Sequence, residues 1–194
     1  PIADRCKHTK NEFCNDENNP NGFLRNVGDW FKKISHNRCR LDFTLLPALV
    51  VQQSLNSFST AGGMGPPPGN SQMLVEKVLS LADDSILRFL HITEGRLAIV
   101  APGRFKPHTW HIPNGGKPIL REGERSPRRK VVCHRYALIP EKTNLGMFAH
   151  ELGHLLFGWP DLKWNHTYAK ECLMAEGASN ESGKSPAEPC GPLL

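Results

Sequence analysis

Residues 144–161 read NLGMFAHELGHLLFGWPD, and this stretch decides both the fold and the chemistry. The spacing predicts a helix over 144–157, ended by Gly158 and Pro160. Inside it, His150-Glu151-Leu152-Gly153-His154 forms the pattern HExxH. Residues four apart on an α-helix differ by about 400°, so both imidazoles leave one face about one turn apart. They can share one Zn2+ at about 2.0–2.1 Å. Glu151, one residue on from His150, points to the side and is the candidate catalytic general base toward a metal-activated water. Gly153 costs about 1 kcal/mol relative to Ala inside a helix, which marks a close backbone approach. Gly158 permits a left-handed turn and Pro160 prevents the helix from resuming. The chain therefore reverses and delivers Asp161 toward the metal as the third candidate ligand. Glu171 and Glu176 lie at the distance where a thermolysin-like enzyme carries its glutamate ligand. With His166, they are the alternatives for that position.

Working outward, Phe23, Val27, Trp30, Phe31 and Ile34 recur at helical spacing and predict a helix from Asn21. The run Leu41 to Gln53 turns almost wholly apolar and reads as a buried strand pair broken near Pro47. Ser59 to Gly69 is a surface loop. Ser71 is placed to cap a second helix whose inner face is Leu74, Val75, Val78, Leu79 and Ala82. Arg96 to Ala101 reads as a central strand closed by Pro102-Gly103, residues 104–118 as an irregular loop, and Val131 to Ile139 as a further strand. The order of helices and strands gives an α+β fold: a twisted mixed β-sheet with backing helices and an active-site helix. One domain is expected over residues 1–194, with 1–21 a disulfide-tied loop and 178–194 a loop-rich tail.

Composition narrows the classes. Apolar residues make up 39% and charged residues 22%, which is globular rather than disordered. No apolar run approaches the length of a membrane-spanning helix, so no membrane span is expected. A net charge of +5 without a basic stripe interleaved with aromatics argues against nucleic acid as a partner. The charged run 121–130 reads as a solvated hairpin tip. Six cysteines (Cys6, Cys14, Cys39, Cys133, Cys172, Cys190) without a CxxC pair suggest three disulfides and an oxidising compartment. Sequons at Asn165 and Asn180, and a chain that starts at Pro1 as if a presequence had been removed, fit a secreted, extracellular protein. Nothing in the sequence calls for an oligomer, and a monomer is expected.

The chain resembles the immune inhibitor A family of secreted zinc metalloproteases, within the metzincin clan. The resemblance runs from about Gly22 to Gly177, through 29–35 (DWFKKIS), 96–103, 107–110 (PHTW) and 136–141 (YALIPE). It continues through 146–154 (GMFAHELGH), 159–162 (WPDL) and 172–174 (CLM). It implies a metzincin-like zinc protease domain, with His150, His154 and Asp161 as metal ligands. Met174 would be the methionine turn beneath the metal. The resemblance also implies endopeptidase activity on a protein or peptide substrate. Tyr168 and His166 are near enough in sequence to contact the oxyanion or substrate. A structural Ca2+ at Asp83-Asp84 or Asp16-Glu17 is a further candidate, as in some relatives. His108 and His111, which flank Trp110, suggest a loop that packs the indole or lines the cleft, with a second metal as the minor reading. The spacing departs from the family in one respect. The usual pattern puts Gly third and the last ligand sixth after the second histidine, whereas here Gly158 is fourth and Asp161 seventh. The alternatives to a peptidase are a non-catalytic secreted binding protein on the same scaffold and a zinc hydrolase of a non-peptide amide.

Overall fold

The computed structural model describes residues 22–53, 55–58, 68–102, 105–112, 133–141, 143–161 and 174. Their contacts gather into two units, one comprising Pro1–Cys6 and Leu46–Lys142, the other Lys7–Leu45 and Thr143–Leu194. The N-terminal loop 1–21, the tip 121–130, the tail 178–194 and both sequons lie outside the described residues.

In the first unit, helix α2 (Pro68–Ser80) starts with a proline, whose fixed φ suits a first helical turn. It begins three residues before the expected cap, so Ser71 lies within the helix. Its apolar face is the one expected: Leu74, Val75, Leu79 and Ala82 are buried, with Val78 partly so. Helix α3 (Asp84–Ile92) was not foreseen. Asp83 caps it, its carboxylate accepting from the N–H groups of Ser85 and Ile86 and from the Ser85 hydroxyl. Asp83, read as half of a calcium pair, turns its Oδ1 to the helix end; Asp16-Glu17 is outside the described residues.

The sheet has three strands in the order β1-β3-β2, where β1 is Arg96–Ala101, β2 His108–His111 and β3 Arg135–Pro140. β1 runs parallel to β3, pairing Arg96 with Arg135 through to Ala101 with Pro140. β2 runs antiparallel to β3, from His108 opposite Leu138 to His111 opposite Arg135. Three expectations are corrected. The central strand is β3, whose Tyr136–Ile139 stretch is buried on both faces, while β1 is an edge with Ala98 exposed. Residues 108–111, expected as irregular, form a strand because β3 offers them a free ladder. The run 41–53 is not a strand pair either. Pro47 lacks a ladder donor, and the segment lies irregularly, with Leu46, Leu49 and Val51 packed on the core of α2, α3 and the sheet. Val50, at 65% exposure, faces solvent.

In the second unit, helix α1 (Phe23–Ile34) buries Leu24, Val27 and Phe31 as its spacing predicts. It packs on helix α4 (Leu145–Leu152) through an edge-to-face contact of Phe23 with Phe148, ring centroids 5.1 Å apart. No helix among the described residues is long and apolar enough to cross a membrane.

Cys39 and Cys133, both read as disulfide partners, carry free thiols. The other four cysteines lie outside the described residues. Cys133 is 2% exposed and acts as a small core residue whose burial pushes its thiol up to about 11.

Candidate metal centre

Asn144 starts the helix that carries the site, its Oδ1 accepting the Met147 N–H at 2.8 Å. Phe148, Ala149 and Leu152 bury one side of α4 and so hold its axis. The helix was expected to run unbroken to Phe157, but α geometry stops at Leu152 and a π-helical turn occupies Gly153–Phe157. A π turn is in effect one extra residue inserted in an α-helix, and such turns recur at functional sites. Gly158 closes it at φ 69, in the left-handed region that favours glycine. The Gly158 N–H then donates to His154 O at 3.1 Å and the Trp159 N–H to Gly153 O at 3.3 Å. That last bond spans one residue more than the usual Schellman closure. The π turn thus sets the spacing between His154 and the reversal at Gly158.

The reversal brings three donors together. His150 Nε2 and His154 Nε2 are 3.0 Å apart, and each is 3.3 Å from Asp161 Oδ1. The two rings stand perpendicular, with centroids 4.6 Å apart. His150 is buried, His154 half-buried and Asp161 exposed, so the cluster opens to solvent on the aspartate side. Among the described residues, this is the group of His, Cys, Asp and Glu side chains whose donor atoms converge as metal ligands do.

Hydrogen bonding fixes one tautomer. His154 Nδ1 faces the carbonyl oxygen of Trp159. A carbonyl only accepts, so Nδ1 carries the proton, and in the neutral ring Nε2 keeps its lone pair. That lone pair is directed at another imidazole nitrogen and a carboxylate oxygen. His154 Nε2 and Asp161 Oδ1 are then both acceptors, so either a proton on His150 Nε2 or a metal ion lies among the three atoms. The donor set thus suits a divalent metal ion, with His150, His154 and Asp161 as its holders.

The floor of the site is equally specific. A Cβ at Gly153 would sit 2.8 Å from Met174 Sδ and 2.9 Å from Trp159 Cε3, so the close approach inferred from a mid-helix glycine is present. Met174 is fully buried against Gly153, the glycine that precedes His154 directly in sequence. Glu151 is also buried. Tyr168, His166, Glu171 and Glu176 lie outside the described residues, as do Cys172 and Cys190.

His108 and His111 form no such cluster. His111 is exposed on β2, whereas His108 is held from both ring nitrogens: Nδ1 by Lys106 O at 3.2 Å, Nε2 by Ser71 Oγ at 2.9 Å. Ser71 in turn bonds the hydroxyl of the fully buried Tyr136, whose ionisation burial disfavours most strongly, raising its pKa. Sequence reasoning missed this network because its members are 37 and 65 residues apart. It also gave Trp159 no role. Comparison with protein-family models, with curated proteins and with solved structures finds no match to the chain.

Proposed function

We propose that the chain is a secreted zinc-dependent endopeptidase of the metzincin type, which cleaves peptide bonds in a protein or peptide substrate. The observation that carries this reading is the 3.0–3.3 Å triangle of His150 Nε2, His154 Nε2 and Asp161 Oδ1. Ligands at about 2.0–2.1 Å around a tetrahedral Zn2+ sit about 3.3–3.4 Å apart, so the triangle has nearly the dimensions of one face of that tetrahedron. Three protein ligands leave the fourth position open, as catalytic sites do and structural sites do not. The order of parts along the chain agrees: HExxH, a glycine turn, an aspartate and then a methionine packed under the helix.

When bound, zinc supplies Lewis-acid polarisation of the scissile carbonyl and acidifies a water at the same site. The remaining work falls to the chain. His154 is oriented by its Nδ1–H bond to Trp159 O, and Asp161 places a negative charge at the ligand triangle. Glu151 accepts the proton of the attacking water and passes it to the departing amine, the general acid–base step. Tyr168 and His166 remain the candidates for donating to the oxyanion. The sequons support a secreted location, and the monomeric state is retained as part of the proposal. A structural Ca2+ at Asp83-Asp84 or Asp16-Glu17 stays a candidate within the same proposal.

The test is metal analysis of the purified chain combined with turnover of casein. Zinc near one equivalent, with hydrolysis abolished by a chelator, restored by zinc and lost in Glu151→Ala, is the expected result. Zinc held without any hydrolysis favours a binding protein on this scaffold. Hydrolysis that persists after complete removal of metal overturns the proposal.

A further inference from the structure

Trp159 lies outside the ligand triangle, yet its backbone holds His154. Its carbonyl oxygen accepts the His154 Nδ1–H, and its own N–H closes back on Gly153 O. Its ring is buried, stacked on Phe157 at 4.6 Å between centroids and 21° between planes, with Phe31 at 6.5 Å. The same ring presses on Gly153, where an added Cβ would be 2.9 Å from Cε3. The buried ring anchors the Trp159 Cα and the N–H bond to Gly153 O ties down its preceding peptide, so the turn that carries the Trp159 carbonyl is held beside His154.

Resting on the reading of His154 as a metal ligand, the structure assigns Trp159 as the positioning residue that selects the metal-binding tautomer of His154. A neutral imidazole can carry its proton on either nitrogen, and only the Nδ1–H form leaves Nε2 free to bind a metal. A fixed acceptor at Nδ1 selects that form before any metal arrives. Partners of this kind typically change metal affinity by about 10–100-fold when removed. The π turn at Gly153–Phe157 contributes to the same end. It makes room for a residue between the second histidine and the reversal, so the Trp159 carbonyl can face the histidine that precedes it by five positions.

The decisive measurement is the 15N signature of the His154 ring in the metal-free full chain, read with Zn2+ affinity by competition against a chromogenic chelator. The parent protein should show a protonated Nδ1 and an unprotonated Nε2. Trp159→Ala should give a mixture of tautomers and bind Zn2+ about 10–100-fold more weakly. Trp159→Phe keeps a ring to stack on Phe157 and should restore the single tautomer, with a loss below about tenfold. Should Trp159→Ala not fold, Phe157→Ala removes the stack from a side chain that is already 38% exposed and should shift both readouts in the same direction by less. A single Nδ1–H tautomer and unchanged Zn2+ affinity in these variants would overturn the assignment, as would an Nε2–H tautomer in the parent. A chain that fixes the tautomer and binds zinc but cleaves no peptide leaves the assignment standing and removes the protease reading instead.

Discussion

The sheet unit and the helical unit each hold a half-buried histidine against a backbone carbonyl, and they differ in what lies beyond the other ring nitrogen. In the sheet unit, His108 Nδ1–H donates to Lys106 O, so the neutral ring accepts the Ser71 O–H at Nε2, and Ser71 accepts from Tyr136. Donors and acceptors alternate along the chain of bonds, and hydrogen atoms alone satisfy it. In the helical unit, His154 Nδ1–H donates to Trp159 O in the same way, but Nε2 meets His150 Nε2 and Asp161 Oδ1. There two acceptors, His154 Nε2 and Asp161 Oδ1, converge on His150 Nε2, so a single proton or a metal ion has to serve both. Proximity of a histidine to polar groups therefore says little about metal binding; what matters is whether the lone pairs converge without protons to separate them.

Removing a ring from each unit tests this comparison most strongly. His154→Ala should abolish stoichiometric zinc binding and with it hydrolysis, measured by metal analysis and casein turnover. His108→Ala should leave zinc content unchanged and lose only a hydrogen bond, about 0.5–1.5 kcal/mol in urea unfolding. Equal loss of metal in both variants would erase the distinction. Next in size is Glu151→Gln, expected to slow turnover by about 10²–10⁴ with zinc retained, as measured by kcat on a fluorogenic peptide.

Gly153→Ala sharpens the account of the site floor. The new methyl would meet Met174 and Trp159 below 3.0 Å, an overpacking expected to cost about 1–3 kcal/mol. Denaturant midpoints would register it, along with weakened zinc binding; an unperturbed variant would mean that the ring and the thioether yield freely. In the sheet unit, burial raises Cys133 from 9.0 to about 11 in the folded state. The unfolded thiol ionises first, so the contribution is complete below pH 9 and is lost as the pH rises toward 11, on the order of 2 kcal/mol in total. Tyr136, also raised by burial, titrates with the same sign, so Cys133→Ala should flatten only part of the alkaline decline in stability. The smallest effect expected is from Asn144→Ala, which removes the cap of α4 for about 1 kcal/mol by thermal unfolding and should leave the ligand triangle intact.

How much was legible follows from the range of the forces involved. Helical spacing at Val27 and Phe31, and at Leu74, Val75 and Leu79, foretold which faces would be buried, because amphipathic period is a property of a dozen neighbouring residues. The apolar run 41–53 misled because hydrophobicity reports a wish for cover and not a hydrogen-bonded partner; with Pro47 in its middle, the run covers the core irregularly. Helix α3 was missed although Asp83 and Ser85 advertise its start, since the acidic pair was read for charge and not for its capping geometry. β2 was missed because its four residues become a strand only beside β3.

At the site, the amino-acid sequence by itself determined the two histidines on one helical face, the glutamate beside them, the glycine that must stay small and the reversal at Gly158. All of these are set by bond geometry within a few residues. Only the tertiary structure decided that the turn is π-helical, that the Trp159 carbonyl holds His154, that Met174 fills the space under Gly153 and that His108 is closed off by Ser71 and Tyr136. Those outcomes depend on where rings and carbonyls settle once distant segments pack, and no local periodicity carries that information.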